Sequence, residues 1–137
     1  MRIDECIFFL LAKCNQAGSR FWAQKVAALG VTAVQAMVLG FLSEEDLVSS
    51  RQLGERTVLD SATITGILDR LEGVGYIERR ANPEDRRAIV IGLTAKGREV
   101  AGTIQTLVEA ANREFLNDLS NEEEAMLRGL LKRLKQR

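Results

Sequence analysis

The sequence predicts a mainly α-helical fold that carries one small β hairpin. Three observations predict this fold class. Apolar residues recur at helical spacing over most of the 137 residues. Two short helical patterns are separated only by residues 57–59. The period then changes once, to two strand-like runs joined by an Asn82-Pro83 turn.

The first two helices are predicted from their spacing and their boundary residues. A long helix is expected over 7–29, where Gly30 supplies a stop signal. Thr32 can cap the next helix, which is nearly apolar around its circumference. A helix without a polar face has to be buried on every side, so we expect it at the centre of the core.

Two short helices with clear start signals follow. Ser49 and Gln52 fit a capping box that opens a helix through about Arg56. Asp60 can cap the second helix, which ends near Gly73. Its buried stripe is expected to be Ile64, Ile67, Leu68 and Leu71. Two short helices this close together predict a helix-turn-helix.

A β hairpin comes next. Residues 76–80 and 88–93 have strand character, and residues 82–85 have turn chemistry. A helix-turn-helix followed by a hairpin is a winged helix-turn-helix, which we predict over 31–99.

Two helices close the chain. Thr94 can cap a long one, and Ser120 with Glu123 forms a capping box for the last one. A domain this small cannot cover the apolar stripes of its outer helices, so we expect a homodimer. We therefore assign one domain over 1–137, with dimerisation helices at 1–30 and 100–137.

The composition excludes several classes of function. Lysine and arginine total 19, as do aspartate and glutamate, so bulk charge does not drive binding to polyanions. The chain has no histidine, and Cys6 and Cys14 form no Cys-x-x-Cys pair, so we expect no metal, no cofactor and no enzyme. Neither a signal peptide nor a bilayer-length apolar stretch is recognisable, so we expect a cytoplasmic protein without a membrane partner.

The outward face of the second short helix is small and polar. Opposite its buried stripe lie Ser61, Ala62, Thr63, Thr65, Gly66, Asp69 and Arg70. Small side chains let a helix approach base edges in the major groove of double-stranded DNA, and hydroxyl groups can bond bases or phosphates. Asp69 can accept from a cytosine amino group, and Arg70 can reach phosphate or guanine. An ordinary amphipathic helix has the same kind of outer face, so this segment alone leaves both interpretations open.

The tip of the hairpin carries Asp85, Arg86 and Arg87. Positive charge is concentrated around it, since residues 79–98 hold six basic side chains against two acidic ones. Arginine is favoured in a narrow minor groove by the negative potential there. Asp85 can pair with Arg87 and fix its direction. The alternative is an exposed ion pair on a solvated turn.

Two motifs resemble those of MarR-type transcriptional regulators. The run Asp85-Arg86-Arg87-Ala88-Ile89-Val90-Ile91-Gly92-Leu93-Thr94-Ala95-Lys96-Gly97 is similar to the family's wing signature, Asp-x-Arg-x-x-x-[Val/Ile]-x-Leu-Thr-x-x-Gly. The segment 68–79 is similar to Leu-x-Arg-Leu-Glu-x-x-Gly-[Leu/Tyr]-Ile-x-Arg. The resemblance implies a dimeric repressor on a pseudo-palindromic operator, with Arg87 in the minor groove and Asp85 orienting it. It also implies that Ser61, Thr63 and Thr65 begin the groove-facing helix.

The segment 59–65 also resembles the hydroperoxide-sensing branch of that family, which uses a cysteine directly before a Phe-x-Leu or Phe-Leu-Leu stretch. Here neither Cys6 nor Cys14 is in register with Phe9-Leu10-Leu11. We therefore expect release by a small aromatic or apolar ligand, and a thiol-based hydroperoxide sensor is the alternative. Candidate pocket residues are Phe9, Phe21, Trp22 and Met37. A winged-helix protein-interaction module without DNA binding is the alternative from another class.

Overall fold

The computed structural model describes residues 1–136 and has the predicted order of helices and strands. Over that range the helices are α1 (Ile7–Val26), α2 (Ala33–Glu44), α3 (Ser50–Arg56), α4 (Ser61–Gly73), α5 (Ala95–Phe115) and α6 (Asn121–Leu134). The antiparallel strands of the wing are β1 (Ile77–Ala81) and β2 (Ile89–Leu93). The predicted fold class, mainly α-helical with a small β wing, is confirmed.

Side-chain caps begin five of the six helices over residues 1–136, at the predicted residues. Thr32, Ser49 and Ser120 each form a reciprocal capping box at the start of α2, α3 and α6. Asp60 and Thr94 cap α4 and α5 by accepting from the backbone N–H three residues further on. A capping bond joins residues close in sequence, which is why the sequence reveals these starts.

The end of the first helix and the limits of both strands differ from the prediction, since β2 also begins one residue later, at Ile89. The α-helical part of the first helix ends at Val26 rather than at residue 29, because the chain tightens into a 3-10 turn over Ala27–Leu29. Gly30 follows with a φ of +73°, the left-handed conformation expected of a helix stop. Strand β1 begins one residue later than predicted, and the carbonyl oxygen of Tyr76 accepts from the N–H of Thr94 at 3.1 Å.

The core is built around α2, as its apolar circumference predicts. Ala36, Val38, Leu39 and Leu42 of α2 are buried. The predicted stripe of α4 is buried too, and it consists of Ile64, Ile67, Leu68 and Leu71. These two faces hold the helix-turn-helix against the body, so the opposite side of α4 is turned to the surface.

A third segment pairs with the wing, and no local sequence pattern predicts this pairing. The N–H of Ile91 donates to the carbonyl of Val48 at 2.7 Å. The carboxylate of Asp46 accepts from the N–H of Leu93 at 3.0 Å and from the guanidinium of Arg98 at 3.0 Å. The connection between α2 and α3 therefore ties β2 and the start of α5 to the helix-turn-helix.

The start of α5 packs directly on the start of the wing. A Cβ at Gly97 would lie 1.9 Å from the carbonyl oxygen of Tyr76, so the close approach requires glycine. Beside it the hydroxyl of Thr94 donates to the carbonyl of Gly75 at 2.6 Å. This junction sets the position of the wing relative to the long helix.

Large apolar side chains of α1 and α6 are exposed in the single chain. Phe8 is 79% exposed and Met126 is 66% exposed. The others are Ile7, Phe9, Leu10, Leu11, Leu127, Leu130, Leu131 and Leu134. Two helix faces of this kind are typical of a surface that another chain covers.

Within residues 1–136, no single helix is long and apolar enough to cross a bilayer. Segments 7–29 and 33–44 meet the length and composition only together, as a pair bent by 77°. Over the same residues, no group of three histidine, cysteine, aspartate or glutamate side chains is placed to hold a metal ion.

Candidate nucleic-acid interface

Asp60 holds the first turn of α4. Its Oδ1 accepts from the backbone N–H of Thr63 at 2.8 Å. Hydrogen bonds from the backbone N–H and the side chain of Thr63 lower the pKa of the Asp60 carboxyl below its usual value. A carboxylate at this position also interacts favourably with the positive end of the helix dipole.

The residues predicted to face DNA from α4 are at the surface. Ser61, Ala62, Thr63, Thr65, Asp69 and Arg70 are all exposed. The hydroxyl of Thr65 donates to the carbonyl of Ser61 at 2.8 Å, so its oxygen can still accept a hydrogen bond. The face is small and polar, and the side chains on it do not block the approach of a partner to the helix backbone.

A groove of about 490 Å³ runs between the start of α2 and α4. It is lined by Thr32, Val34 and Gln35 on one side and by Ala62, Thr63, Gly66, Ile67 and Arg70 on the other. The sequence indicated Thr32 only as a helix cap and did not single out Gln35, because the proximity of both to α4 depends on tertiary packing. The polar surface therefore extends beyond the predicted residues to the start of α2.

Asp85 organises the tip of the wing through the backbone. Its Oδ1 accepts from the backbone N–H of Arg87 at 3.1 Å, while the Nε of Arg87 lies further away, at 3.7 Å. The side chain of Arg87 is 96% exposed. The carboxylate thus fixes the turn, and the guanidinium projects into solvent.

Most of the positive charge near the wing is already engaged within the chain. Arg79 is paired with two carboxylates of α4, Arg80 with Glu78, and Arg98 with Asp46. Lys96 donates to the carbonyl of Val74 at 3.0 Å. Of the six basic residues in 79–98, Arg86 forms no ion pair with any of residues 1–136 and Arg87 has only the 3.7 Å contact with Asp85, so these two at the tip remain accessible to a partner such as DNA.

Asp69 has a structural partner as well as a place on the exposed face. Its Oδ1 accepts from Nη2 of Arg79 at 2.8 Å, and Nη1 of the same arginine donates to Glu72 at 2.7 Å. The side chain of Arg79 as a whole is 28% exposed. One oxygen of Asp69 is therefore used to hold the wing strand against α4.

The predicted pocket residues lie in different places. Trp22 and Met37 line one cleft of about 220 Å³ between α1, α2 and α5. Phe21 lines a smaller cavity of about 120 Å³, which Trp22 also borders, and its ring packs on that of Phe115 at 5.2 Å between centroids. Phe9 lines neither of them, because it lies 13 residues before Trp22, about 20 Å along a helix.

Neither cysteine is buried in the core of the single chain. Cys6 is half-buried and directly precedes α1, and Cys14 is exposed on α1 in the single chain. Cys14 lies on the same helix as the exposed apolar side chains of α1, which have no cover within one chain. Among residues 1–136, neither sulfur takes part in a hydrogen bond.

Comparison with known proteins identifies transcriptional regulators as relatives of this chain. A family model described as MarR family matches residues 29–88. The chain is 29% identical over 122 residues to the organic hydroperoxide resistance transcriptional regulator of Bacillus subtilis, a match that covers 84% of this chain and 83% of that protein. Alignments with curated relatives span from 54% to 88% of the relative's own length.

Solved structures share the whole fold. A probable transcriptional regulator from Pseudomonas aeruginosa is 36% identical, with a TM-score of 0.89 over 97% of this chain and 99% of that one. A mutant of MarR from Escherichia coli in complex with operator DNA is 28% identical, with a TM-score of 0.86 over 98% of this chain and 99% of that one.

Proposed function

The chain belongs to the MarR family of transcriptional regulators, and from this premise we propose that it is a homodimeric repressor in the cytoplasm. It binds a pseudo-palindromic operator in double-stranded DNA and releases it when a small aromatic or apolar ligand binds. The observation that carries the proposal is the pairing of an exposed polar face on α4 with an exposed arginine at the wing tip.

The two surfaces suit the two grooves of DNA. The start of α4 presents Ser61, Thr63 and Thr65 without bulky neighbours, which suits the major groove. Arg87 projects from a turn that Asp85 holds, which suits the narrow minor groove. The operator complex of the E. coli relative supports this reading, since this chain has the same fold over 98% of its length.

The homodimer is supported by the apolar faces of α1 and α6. A single chain leaves these faces in water, and a second copy presents the same two faces. In a twofold dimer the two copies of α4 are related by symmetry, so the operator has two similar half-sites in opposite orientation.

The test measures operator binding by fluorescence anisotropy over a range of salt concentrations. The duplex is the sequence that the wild-type protein selects from a random pool. Arg87→Ala is expected to weaken binding and to reduce the log–log salt slope by about two units, because each subunit of the dimer loses one charge contact with the DNA. Arg113→Ala on α5, an exposed arginine outside the proposed interface, is the matched control.

If Arg87→Ala has the affinity and salt slope of wild type, the wing does not contact the DNA. Failure to select any duplex, or binding that is insensitive to salt, would instead favour a winged-helix module that binds protein. An apolar protein interface does not release counterions, so its affinity changes little with salt.

A thiol-based hydroperoxide sensor is the second candidate. Two observations favour it, the similarity to the Bacillus subtilis regulator named for organic hydroperoxide resistance and the exposure of Cys14. Neither cysteine is in register with Phe9-Leu10-Leu11, and this argues against a thiol-based sensor.

A further inference from the structure

The cleft between α1, α2 and α5 has apolar walls and a defined size. Its walls include Trp22, Met37, Phe41, Ile104 and Val108, and its volume is about 220 Å³. An apolar cavity of roughly 150 Å³ accepts a benzene ring. The cleft therefore suits one aromatic ring with a short substituent, and it is too small for a drug-sized molecule, which needs at least about 300 Å³.

The charge in the lining of the cleft is negative. Glu44 is the charged residue of the lining, and within residues 1–136 it forms no ion pair. Gln105 donates one Nε2 hydrogen to the carbonyl of Gly40 at 3.5 Å, which leaves its carbonyl oxygen and its second N–H for a ligand. A ligand carboxylate would therefore face the like charge of Glu44, the charged residue of the lining.

The basic residue that follows Trp22 by one helical turn does not change this balance. Lys25 pairs with Glu114 at 2.6 Å, and its ammonium group also lies 5.1 Å from the centre of the Phe21 ring. It does not line the cleft.

We propose that this cleft selects a small aromatic cation, an amine attached to one ring, through the carboxylate of Glu44 and the apolar walls. The ring replaces water against the walls, and the ammonium group donates to Glu44. This inference rests on the proposed function for its effect on DNA, whereas ligand binding itself is measured without DNA.

Gly40 provides a way to close the cleft without disturbing the core. A Cβ at this position meets nothing within 4 Å, and the residue is helical, so a larger side chain is sterically allowed. Because Gly40 lines the cleft, a leucine there would occupy the space of the ring.

Trp22 makes the binding directly observable. It is the only tryptophan of the chain, so intrinsic tryptophan fluorescence reports on the cleft. The probes are 2-phenylethylamine, 2-phenylethanol and phenylacetate, which share the ring and differ in charge. Ligands with so few atoms are expected to have dissociation constants of about 0.1–10 mM.

Wild-type protein is expected to bind the amine about fivefold more tightly than the alcohol, and the carboxylate most weakly. Glu44→Gln should lower affinity for the amine to that for the alcohol and leave affinity for the alcohol unchanged. Glu99→Gln, which removes an exposed carboxylate of α5 outside the cleft, should behave like wild type. Gly40→Leu should abolish the response to all three probes.

Three outcomes would overturn the proposal: tightest binding of the carboxylate, a preference for the amine that survives in Glu44→Gln, or no response to any probe. Operator binding is then measured with and without the amine. If the amine binds but the operator complex stays intact, the proposed release of DNA by a ligand is contradicted. The selectivity of the cleft for the amine is not affected by that result.

Discussion

The guanidinium of Arg79 on β1 is held between Asp69 and Glu72 on α4, at 2.8 and 2.7 Å. These bonds join the wing to the helix that we expect in the major groove. Since the two elements address different grooves, their relative position decides whether both can reach DNA at once.

The first prediction tests this link with a matched pair. Glu72→Ala and Glu78→Ala each remove one negative charge, but Glu72 bridges two elements and Glu78 pairs with Arg80 on the same strand. Charge alone predicts that both variants bind the operator slightly more tightly. We expect Glu72→Ala to bind about two- to fivefold more weakly than Glu78→Ala, the range for a partly exposed ion pair.

Anisotropy titrations with the operator duplex give the two affinities. Equal affinities for the two variants would mean that the Arg79 cluster does not position the wing.

The second prediction concerns the close contact of Gly97 with Tyr76. A Cβ at Gly97 would lie 1.9 Å from a backbone oxygen, so Gly97→Ala has to displace the junction of α5 and β1. We expect the free energy of unfolding to fall by about 1–3 kcal/mol. In Gly102→Ala, also on α5, the new Cβ meets nothing within 4 Å, and stability should rise by about 0.5–1 kcal/mol.

Urea denaturation monitored by circular dichroism distinguishes the two signs. A Gly97→Ala protein as stable as Gly102→Ala would show that the contact can relax at no cost.

The elements that the sequence predicts are those fixed by neighbours along the chain. Thr32, Ser49 and Ser120 cap helices through bonds to residues three positions away. The contact of Asp46 with Leu93 joins residues 47 positions apart, and no local pattern indicates it. The helices were therefore predictable to within a few residues, and the third segment of the wing was not.

The candidate interface likewise has features that the sequence predicts and features that depend on the tertiary fold. The exposed face of α4 follows from its buried stripe, because a helix period fixes both at once. The count of charges in 79–98 does not reveal which basic residues form ion pairs or hydrogen bonds within the chain. These residues are Arg79, Arg80, Arg98 and Lys96. Only the fold separates the arginines at the tip from those that hold the wing together.

The third prediction concerns pH and the cap of α4. Hydrogen bonds from Thr63 lower the pKa of Asp60 in the folded chain, so the ionised carboxyl favours folding. This contribution is fully present above the unfolded pKa of about 3.9 and is lost as the pH falls through the lower folded pKa. Asp60→Asn keeps a good cap without the charge, whereas Asp60→Ala removes the cap.

At neutral pH we expect Tm to decrease in the order wild type, Asp60→Asn, Asp60→Ala. The difference between wild type and Asp60→Asn should shrink as the pH falls below about 4. Thermal denaturation across this pH range measures it, and a difference that is constant with pH would contradict the role of the charge.

The fourth prediction concerns the dimer. Leu130 lies on the apolar face of α6 and is 47% exposed in the single chain, while Ala125 lies on the opposite side of the helix. Leu130→Glu would place a charge in the proposed interface and should produce monomers or unfolded chain, because a buried unpaired charge costs several kcal/mol. Ala125→Glu should remain dimeric.

Sedimentation at low micromolar concentration should give about twice 15.2 kDa for wild type. A folded wild-type monomer under these conditions would exclude an obligate dimer.

The last prediction decides between ligand release and thiol oxidation. Cys6 and Cys14 are separated by eight residues along α1, about 12 Å of helix rise, so they cannot form a disulfide within one chain unless the helix unwinds. A sensor thiol also has to be stabilised as a thiolate, and among residues 1–136 neither sulfur receives a hydrogen bond. The double variant Cys6→Ser with Cys14→Ala should therefore bind the operator like wild type, and a stoichiometric organic hydroperoxide should release neither protein in anisotropy measurements. Release of wild type alone would establish the thiol mechanism. Single substitutions would then begin with Cys6, because it lies at the start of α1, where free backbone N–H groups favour a negative charge.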